Sequence, residues 1–309
     1  MYENSLPSFE CGEKENAFPE PVRRMLEGDK DCRKFENLRS KETFLEDLSS
    51  KVPKTIDQIK LGKRKRKKSI NSCSKIDVVQ IGDSQDEEGS EGGTRLFEYP
   101  PGKDSVIVTV KDYMTLEHET WLNDIVIDFY LNFLFLEVLP PELRSSVHLF
   151  SSMFYKRMLG VGFKNKTTQR EEAGMTSAQR KHSQVKMWTK NVNLFEKEFI
   201  IFPICEGNHW FLIVAILPRL ATLAPGSAAR RGGGEPLVLV LDSLNRPQTG
   251  AVADIRSYLA LEWAARGGGG NHTFDTGVMK TLRPRKPEQQ NGDDCGVYLL
   301  YYVEKMFTR

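Results

Sequence analysis

Three apolar runs in the C-terminal half of the chain predict the strands of a buried sheet. They cover residues 199–204, 211–217 and 237–241. Each run is almost continuously apolar instead of alternating with polar residues, which is typical of strands that are covered on both faces. Segments with helical periodicity surround these runs, so the sequence predicts a core of buried strands and helices, of the α/β or α+β class.

Helical periodicity is strongest in three segments. Residues 124–138 are apolar around most of the helix surface and follow Asn123, a suitable N-cap. Asp128 in this segment is expected to lie on a solvated strip. Residues 251–265 and 296–307 each repeat apolar side chains at helical spacing, which predicts two further helices.

The first 93 residues lack sustained periodicity and are rich in Ser, Glu, Lys, Asn and Gly, so we expect a disordered tail. Residues 94–309 are then the folded domain, because 309 residues with 39% hydrophobic content can bury a sizeable core. Residues 218–236 are rich in Ala, Gly and Arg, which predicts a disordered insertion within that domain.

The cysteines and the apolar runs exclude several classes of protein. Five scattered cysteines form no CxxC pair and no metal-ligand spacing, which favours a reducing compartment. Residues 1–20 lack the apolar core of a secretory signal. The longest apolar run, residues 125–138, is interrupted by polar residues and is too short to span a bilayer, so no membrane association is expected.

Cys295 is the first candidate for chemistry. A polar, glycine-containing loop turns into an apolar helix at this residue, and free N–H groups at a helix N-terminus favour a nucleophilic thiolate. Gln289 carries a side-chain amide that can donate to a developing oxyanion, with the adjacent Gln290 as the fallback. The alternative interpretation is a buried and unreactive helix cysteine.

His209 and Asp242 stand at the ends of two predicted strands, the first at the entry of one and the second at the exit of the other. If these strands are antiparallel neighbours, both residues lie at the same edge of the sheet. An imidazole that activates a thiol and is oriented by a carboxylate forms a catalytic triad with Cys295. A structural histidine and a turn-forming aspartate are the alternatives.

The joint order of these motifs resembles the ubiquitin-like-protein-specific (sentrin/SUMO-specific) cysteine peptidases. The segments that carry the resemblance are 121–124, 208–210, 241–243 and 289–296. It extends from about residue 95 to residue 309. Further segments are similar to the branch that trims SUMO chains, namely 96–101, 150–155, 186–189, 294–300 and the insertion after Leu217.

The resemblance implies an α+β, papain-like Ulp fold with a central mixed sheet, and cleavage after the di-glycine end of SUMO. It implies Cys295 as nucleophile, His209 as base, Asp242 as orienting acid and Gln289 as oxyanion donor. Trp210 and Trp121 would line a narrow tunnel over the two glycines, where a Cβ would clash, although core packing is the alternative for both.

The same resemblance implies the partners of the protein. SUMO, SUMO-conjugated proteins and poly-SUMO chains are the expected substrates, the protein is expected to be a monomer, and no metal or cofactor is needed. The alternatives are the same chemistry on another ubiquitin-like modifier, or a catalytically inactive scaffold that binds SUMO.

Two motifs stand out in the predicted tail. Residues 63–68 are an unbroken basic run that favours nuclear import, with nucleic-acid contact and a merely solvated run as alternatives. We therefore expect a nuclear protein. The apolar patch of Ile76, Val78, Val79 and Ile81, followed by acidic residues, resembles a SUMO-interaction motif that adds a strand to a partner's sheet, although such short patterns also arise by chance.

Overall fold

The computed structural model describes residues 94–102, 105–117, 119–161, 174–217, 236–268 and 274–307. The predicted tail, with its basic run and its apolar patch of Ile76, Val78, Val79 and Ile81, lies outside these stretches, as do residues 218–235 of the predicted insertion. Those interpretations stay predictions. None of the helices within the described stretches is both long and apolar enough to cross a membrane.

Strands and helices are interspersed along the described chain. The strands are β1 (Arg95–Tyr99), β2 (Val106–Thr109), β3 (Val147–Leu149), β4 (Phe199–Glu206), β5 (His209–Ile216), β6 (Leu237–Leu241) and β7 (Lys280–Leu282). The helices are α1 (Val110–Met114), α2 (Asp124–Phe133), α3 (Pro141–Arg144), α4 (Met153–Met158), α5 (Ser177–Val185), α6 (Thr249–Ala265) and α7 (Cys295–Phe307). A π-helical segment, Leu134–Val138, continues α2, and a 3₁₀ turn, Leu194–Glu196, precedes β4.

A mixed sheet with the spatial order β3-β4-β5-β6-β7 forms the centre of the protein. The central strand β5 is antiparallel to both β4 and β6, whereas the short edge strands β3 and β7 run parallel to their neighbours. The three central strands are the three apolar runs of the sequence. The α+β class and the central mixed sheet are therefore confirmed, and β1 pairs with β2 in a separate hairpin.

The central sheet separates two hydrophobic clusters because successive side chains of a strand point to opposite faces. In β5, Leu212 and Val214 face the cluster that contains α2 and α7, whereas Phe211 and Ile213 face the cluster that contains α4 and α6. All eight residues of β5 are buried. This burial on both faces explains why the strand reads as a continuous apolar run instead of an alternating one.

The predicted long helices are confirmed, and one expectation about α2 is wrong. Asn123 caps α2 through its side-chain oxygen, which accepts a hydrogen bond from the backbone N–H of Val126 at 3.0 Å. Asp128, however, does not lie on a solvated strip. Its carboxylate accepts hydrogen bonds from Ser151 Oγ at 2.6 Å and from the Ser152 backbone N–H at 2.7 Å. It thus ties α2 to the segment before α4, a contact that periodicity within α2 cannot reveal.

The first turn of α7 lies directly against Leu122. A Cβ built on Gly296 would lie 3.0 Å from Leu122 Cβ, which is tighter than nine in ten Cβ contacts in proteins. Leu122 is only 2% exposed, and its carbonyl oxygen accepts a hydrogen bond from Trp210 Nε1 at 2.8 Å. Because Leu122 is buried and its backbone is hydrogen-bonded to Trp210, a larger residue after Cys295 would have to push it aside.

We expect Gly296→Ala to lower the melting temperature, because the added methyl group overpacks the contact with Leu122. Overpacking costs about 1–3 kcal/mol, and each kcal/mol lowers the melting temperature of a domain of this size by about 2–4 °C. Thermal unfolding followed by circular dichroism measures the shift. The matched control is Gly250→Ala, where a Cβ would meet nothing within 4 Å. Equal melting temperatures for the two variants would contradict the close approach.

Candidate active site

Strands β5 and β6 bring His209 and Asp242 together. His209 is the first residue of β5, and Asp242 directly follows the last residue of β6. The strands are antiparallel, with Leu212 opposite Leu241, so both residues lie at the same end of the sheet. His209 Nε2 lies 3.0 Å from Asp242 Oδ1, and the two residues are 4% and 1% exposed. The predicted imidazole–carboxylate pair is therefore present.

Cys295 reaches the same place from the neighbouring layer. It is the first residue of α7, is 2% exposed, and its thiol is a hydrogen-bonding neighbour of the His209 ring. Because Nε2 of this ring faces Asp242, Nδ1 is the nitrogen left for the sulfur. The structure thus brings Cys295, His209 and Asp242 together, and the imidazole is the neighbour of both other groups. This order is the one that activation of a thiol by a carboxylate-oriented imidazole needs.

Burial and two neighbouring side chains have opposite effects on the pKa of His209. Burial is the largest single influence and lowers the pKa of the imidazole, but the hydrogen bonds to Asp242 and Cys295 outweigh it and raise the pKa to about 9. At neutral pH the ring therefore carries a proton. A protonated imidazole next to a sulfur atom supplies the positive charge that assists nucleophilic attack by that sulfur.

Asp242 stays ionised because it accepts hydrogen bonds on both of its oxygens. Burial alone would raise its pKa, but hydrogen bonds from His209, from Gln248 Nε2 and from the Leu244 backbone N–H, the last at 2.7 Å, lower it overall. Gln248 has a left-handed backbone conformation, with φ at 49°. Residues other than glycine rarely adopt this conformation, so the surrounding structure must impose it. Sequence analysis missed Gln248, because no local pattern indicates such a contact.

Gln289 lies on the loop that leads into α7. It is 7% exposed, and its side-chain Nε2 donates a hydrogen bond to the Asn291 carbonyl oxygen at 2.9 Å. The adjacent Gln290 is exposed, which favours Gln289 as the candidate oxyanion donor.

Two tyrosines of α7 hold this loop in place. The hydroxyl group of Tyr298 donates to the Glu288 carbonyl oxygen at 3.1 Å, and that of Tyr302 donates to the Pro287 carbonyl oxygen at 2.6 Å. The two hydroxyl groups come from successive turns of the helix that carries Cys295. The loop with Gln289 and the candidate nucleophile therefore belong to one packed unit.

The two tryptophans of the predicted tunnel occupy different environments. Trp121 is 53% exposed, and its Nε1 donates to the Gly292 carbonyl oxygen at 3.1 Å, just ahead of Cys295. Trp210 is 3% exposed, and its Nε1 holds the Leu122 carbonyl oxygen. Trp210 thus supports the segment that presents Trp121, and the accessible indole surface comes from Trp121. Their roles toward a substrate stay predictions.

Cys205 is a second thiol near the site, and its environment argues against a nucleophilic role. It lies near the end of β4, and burial, together with the negative charges of Asp124 and Cys295, raises its pKa to about 11. A thiol with such a pKa stays protonated at neutral pH and is a poor nucleophile.

Metal ligands do not cluster in the described part of the chain. Within residues 94–102, 105–117, 119–161, 174–217, 236–268 and 274–307, no three His, Cys, Asp or Glu side chains are grouped so that they could hold a metal ion. The arrangement described above needs only acid–base and nucleophilic chemistry.

Comparison with known proteins places this geometry in a family. Residues 120–309 match the Ulp1 protease family, C-terminal catalytic domain. The chain is 30% identical to human sentrin-specific protease 7 over 291 residues, which cover 78% of this chain and 27% of that protein. It is 31% identical to ubiquitin-like-specific protease 2 of Schizosaccharomyces pombe over 235 residues, which cover 68% of this chain and 34% of that protein.

The fold also matches a solved structure. The crystal structure of a de-sumoylating protease superposes with a TM-score of 0.51 at 23% identity, covering 66% of this chain and 68% of that chain. This likeness shows a shared fold. The curated relatives above are longer proteins, of which the chain spans 27% and 34%.

We expect His209→Ala to slow alkylation of Cys295 by iodoacetamide at neutral pH. The protonated ring of His209 provides a positive charge beside the sulfur in the wild type. The pKa of the ring is raised to about 9, so the ring keeps its proton at neutral pH and loses it as pH rises through about 9. Without the ring this charge is missing, so alkylation at neutral pH should be slower than in the wild type. Rates measured from pH 5 to 10 by mass spectrometry of the Cys295 peptide give the comparison.

Cys295→Ser serves as the control for labelling at Cys205, which should stay slow at neutral pH in every variant. Identical pH profiles for the wild type and His209→Ala would contradict the activation of Cys295 by His209.

Proposed function

The chain belongs to the Ulp1 protease family, and on that premise we propose that it is a SUMO-specific cysteine isopeptidase that cleaves after the di-glycine end of SUMO. The observation that carries the proposal is the convergence of Cys295, His209 and Asp242 at one end of the sheet. The relatives named sentrin-specific protease and de-sumoylating protease support SUMO as the modifier.

The first half of the reaction forms a thioester. The Cys295 thiolate attacks the carbonyl carbon of the terminal glycine, and the carbonyl oxygen becomes an oxyanion. Gln289 Nε2–H and the backbone N–H of Cys295 would stabilise that charge, since the first N–H groups of a helix have no partner within it. The His209 imidazolium then donates its proton to the departing lysine amine, the C–N bond breaks, and the glycine acyl group stays on the sulfur.

The second half hydrolyses the thioester. His209, now neutral, takes a proton from a water molecule whose oxygen attacks the thioester carbonyl. The C–S bond breaks, SUMO leaves with a free glycine carboxylate, and the imidazolium–thiolate pair is restored. Asp242 keeps its charge throughout and compensates the positive charge of His209 in the resting state.

Trp121 would cover the two glycines as they approach Cys295. Its exposed indole and its hydrogen bond to the Gly292 carbonyl oxygen fix an aromatic surface beside the nucleophile. An extended backbone can pass under such a surface only where side chains are absent, so the site favours Gly-Gly. Trp210 would contribute indirectly: its Nε1 donates a hydrogen bond to the Leu122 carbonyl oxygen and so supports the segment that carries Trp121.

We further propose that poly-SUMO chains are the preferred substrates and that the protein acts as a monomer. The segments that resemble the chain-trimming branch support this preference. The fission yeast relative is named for ubiquitin-like modifiers in general, so another modifier of this class is the alternative substrate.

Cleavage of di-SUMO tests the proposed function. The wild type should convert di-SUMO to free SUMO, and Cys295→Ser should lose this activity almost completely, because a hydroxyl group is a far weaker nucleophile beside an imidazole with a high pKa. Gel electrophoresis of timed reactions, with longer SUMO chains and NEDD8 conjugates as parallel substrates, measures the rates. Cleavage of NEDD8 conjugates alone would overturn the assignment to SUMO.

Two controls sharpen this experiment. Di-SUMO whose linking Gly-Gly is replaced by Ala-Ala should remain intact, because each added Cβ would meet the aromatic surface over the site. A SUMO vinyl sulfone should form an adduct at Cys295 in folded wild-type protein. Binding of SUMO without an adduct would instead favour the inactive scaffold.

We also propose a nuclear location, supported by the basic run at residues 63–68. A fluorescent fusion of the chain should accumulate in the nucleus, and replacing these six residues by Gln should release it to the cytoplasm. A control variant replaces the exposed Arg180, Lys186 and Lys190 by Gln and should stay nuclear. Nuclear accumulation that persists without the basic run would contradict its role in import.

A further inference from the structure

Ser243 links the carboxylate of the triad to the candidate oxyanion donor. It directly follows Asp242 and is 1% exposed. Its Oγ hydrogen-bonds to Oε1 of Gln289 at 2.5 Å, and its carbonyl oxygen accepts a hydrogen bond from the Gln289 backbone N–H at 3.1 Å. Two bonds therefore join residues that are 46 positions apart in the chain.

The neighbours of Gln289 determine which way its amide points. A serine hydroxyl can donate or accept, so the contact with Ser243 alone does not fix the orientation. The Asn291 backbone oxygen can only accept, and it lies 2.9 Å from Gln289 Nε2. The NH₂ group must face Asn291, Oε1 must face Ser243, and the hydroxyl group of Ser243 must donate.

We propose that Ser243 is a positioning residue that holds the Gln289 amide with its N–H toward the oxyanion. The proposal rests on the proposed function, because it names the residue that orients the oxyanion donor of that reaction. An amide nitrogen carries two N–H bonds. Asn291 accepts one of them, and with Oε1 fixed by Ser243 the second N–H is held in a set direction and is available to a substrate oxygen. Donors that are held in place before the reaction stabilise an oxyanion without a free-energy cost for reorganisation.

The location of Ser243 also connects the His209–Asp242 pair with the side chain of Gln289. Asp242 orients His209, and the next residue orients Gln289, so one short turn after β6 sets the direction of both the proton-transfer group and the oxyanion donor. The backbone bond from Gln289 to the Ser243 carbonyl oxygen survives any substitution of the side chain. Removal of the hydroxyl group should therefore leave the loop in place and release only the amide.

Comparison of two reactions of Cys295 tests this role without any SUMO substrate. Acylation by p-nitrophenyl acetate forms an oxyanion, whereas alkylation by iodoacetamide does not. Ser243→Ala should slow acylation by about tenfold or more, up to the loss of about 10²–10³ expected on removing one oxyanion donor. Alkylation should change by less than about twofold, because the contact between His209 and Cys295 does not involve Ser243.

A double variant shows whether Ser243 acts through Gln289. If it does, Ser243→Ala combined with Gln289→Ala should acylate at the rate of Gln289→Ala alone, within about twofold. Ser243→Cys keeps a weak donor of similar size and should fall between the wild type and Ser243→Ala. Ser257→Ala, the same change at a more exposed position of α6, is the matched control and should leave both reactions as they are.

The outcomes separate this proposal from the proposed function. Equal losses in acylation and alkylation, or additive losses in the double variant, would overturn the positioning role, because they would show a general disturbance of the site. Unchanged acylation in Ser243→Ala would overturn it as well. Failure of the wild type to cleave di-SUMO, with the acylation pattern as expected, would overturn the proposed substrate and leave the role of Ser243 intact.

Discussion

The antiparallel pairing of β5 with β6 is the constraint on which the active site depends. Both strands are buried on both faces, so their register is set by the two hydrophobic clusters and not by the residues at their ends. A slip of one position would send every side chain to the opposite face. Asp242 lies one position beyond the last β6 residue paired with β5, and His209 is paired with Glu206 of β4, so the packing of these strands sets the relative position of the two side chains. The core therefore determines the geometry of the imidazole–carboxylate pair.

Charge at this end of the sheet is maintained by hydrogen bonds and not by contact with water. Burial alone would neutralise both His209 and Asp242, since it favours the uncharged form of each group. Donors from His209, Gln248 and the Leu244 backbone reverse this tendency for the carboxylate, which in turn keeps the imidazole protonated. Each charge is thus retained because the other is present. The left-handed backbone at Gln248 is part of the cost of this arrangement.

The sequence predicts those parts of the structure whose signal is local. Long periodic runs identify β4 to β6 and the helices α2, α6 and α7, and the strand ends suggest the meeting of His209 and Asp242. Edge strands β3 and β7 were missed because each has three residues and forms only by pairing with a strand distant in the chain. The contacts of Asp128, Ser243 and Gln248 were missed for a related reason: these side chains acquire their roles from partners that only the folded chain supplies. The chemical roles of the site residues stay predictions.

The nucleophile and the base belong to different layers of the fold. Cys295 is carried by α7, which packs on one face of the sheet, whereas His209 is carried by β5 itself. The distance between the Cys295 sulfur and the His209 ring therefore depends on the distance between α7 and the sheet. A bulkier side chain anywhere between α7 and β5 would lift the helix and weaken the nucleophile without touching the active site. Leu122 contacts Gly296 in the first turn of α7 and is hydrogen-bonded to Trp210 of β5, so the volume of a single side chain at this contact can alter the reaction rate.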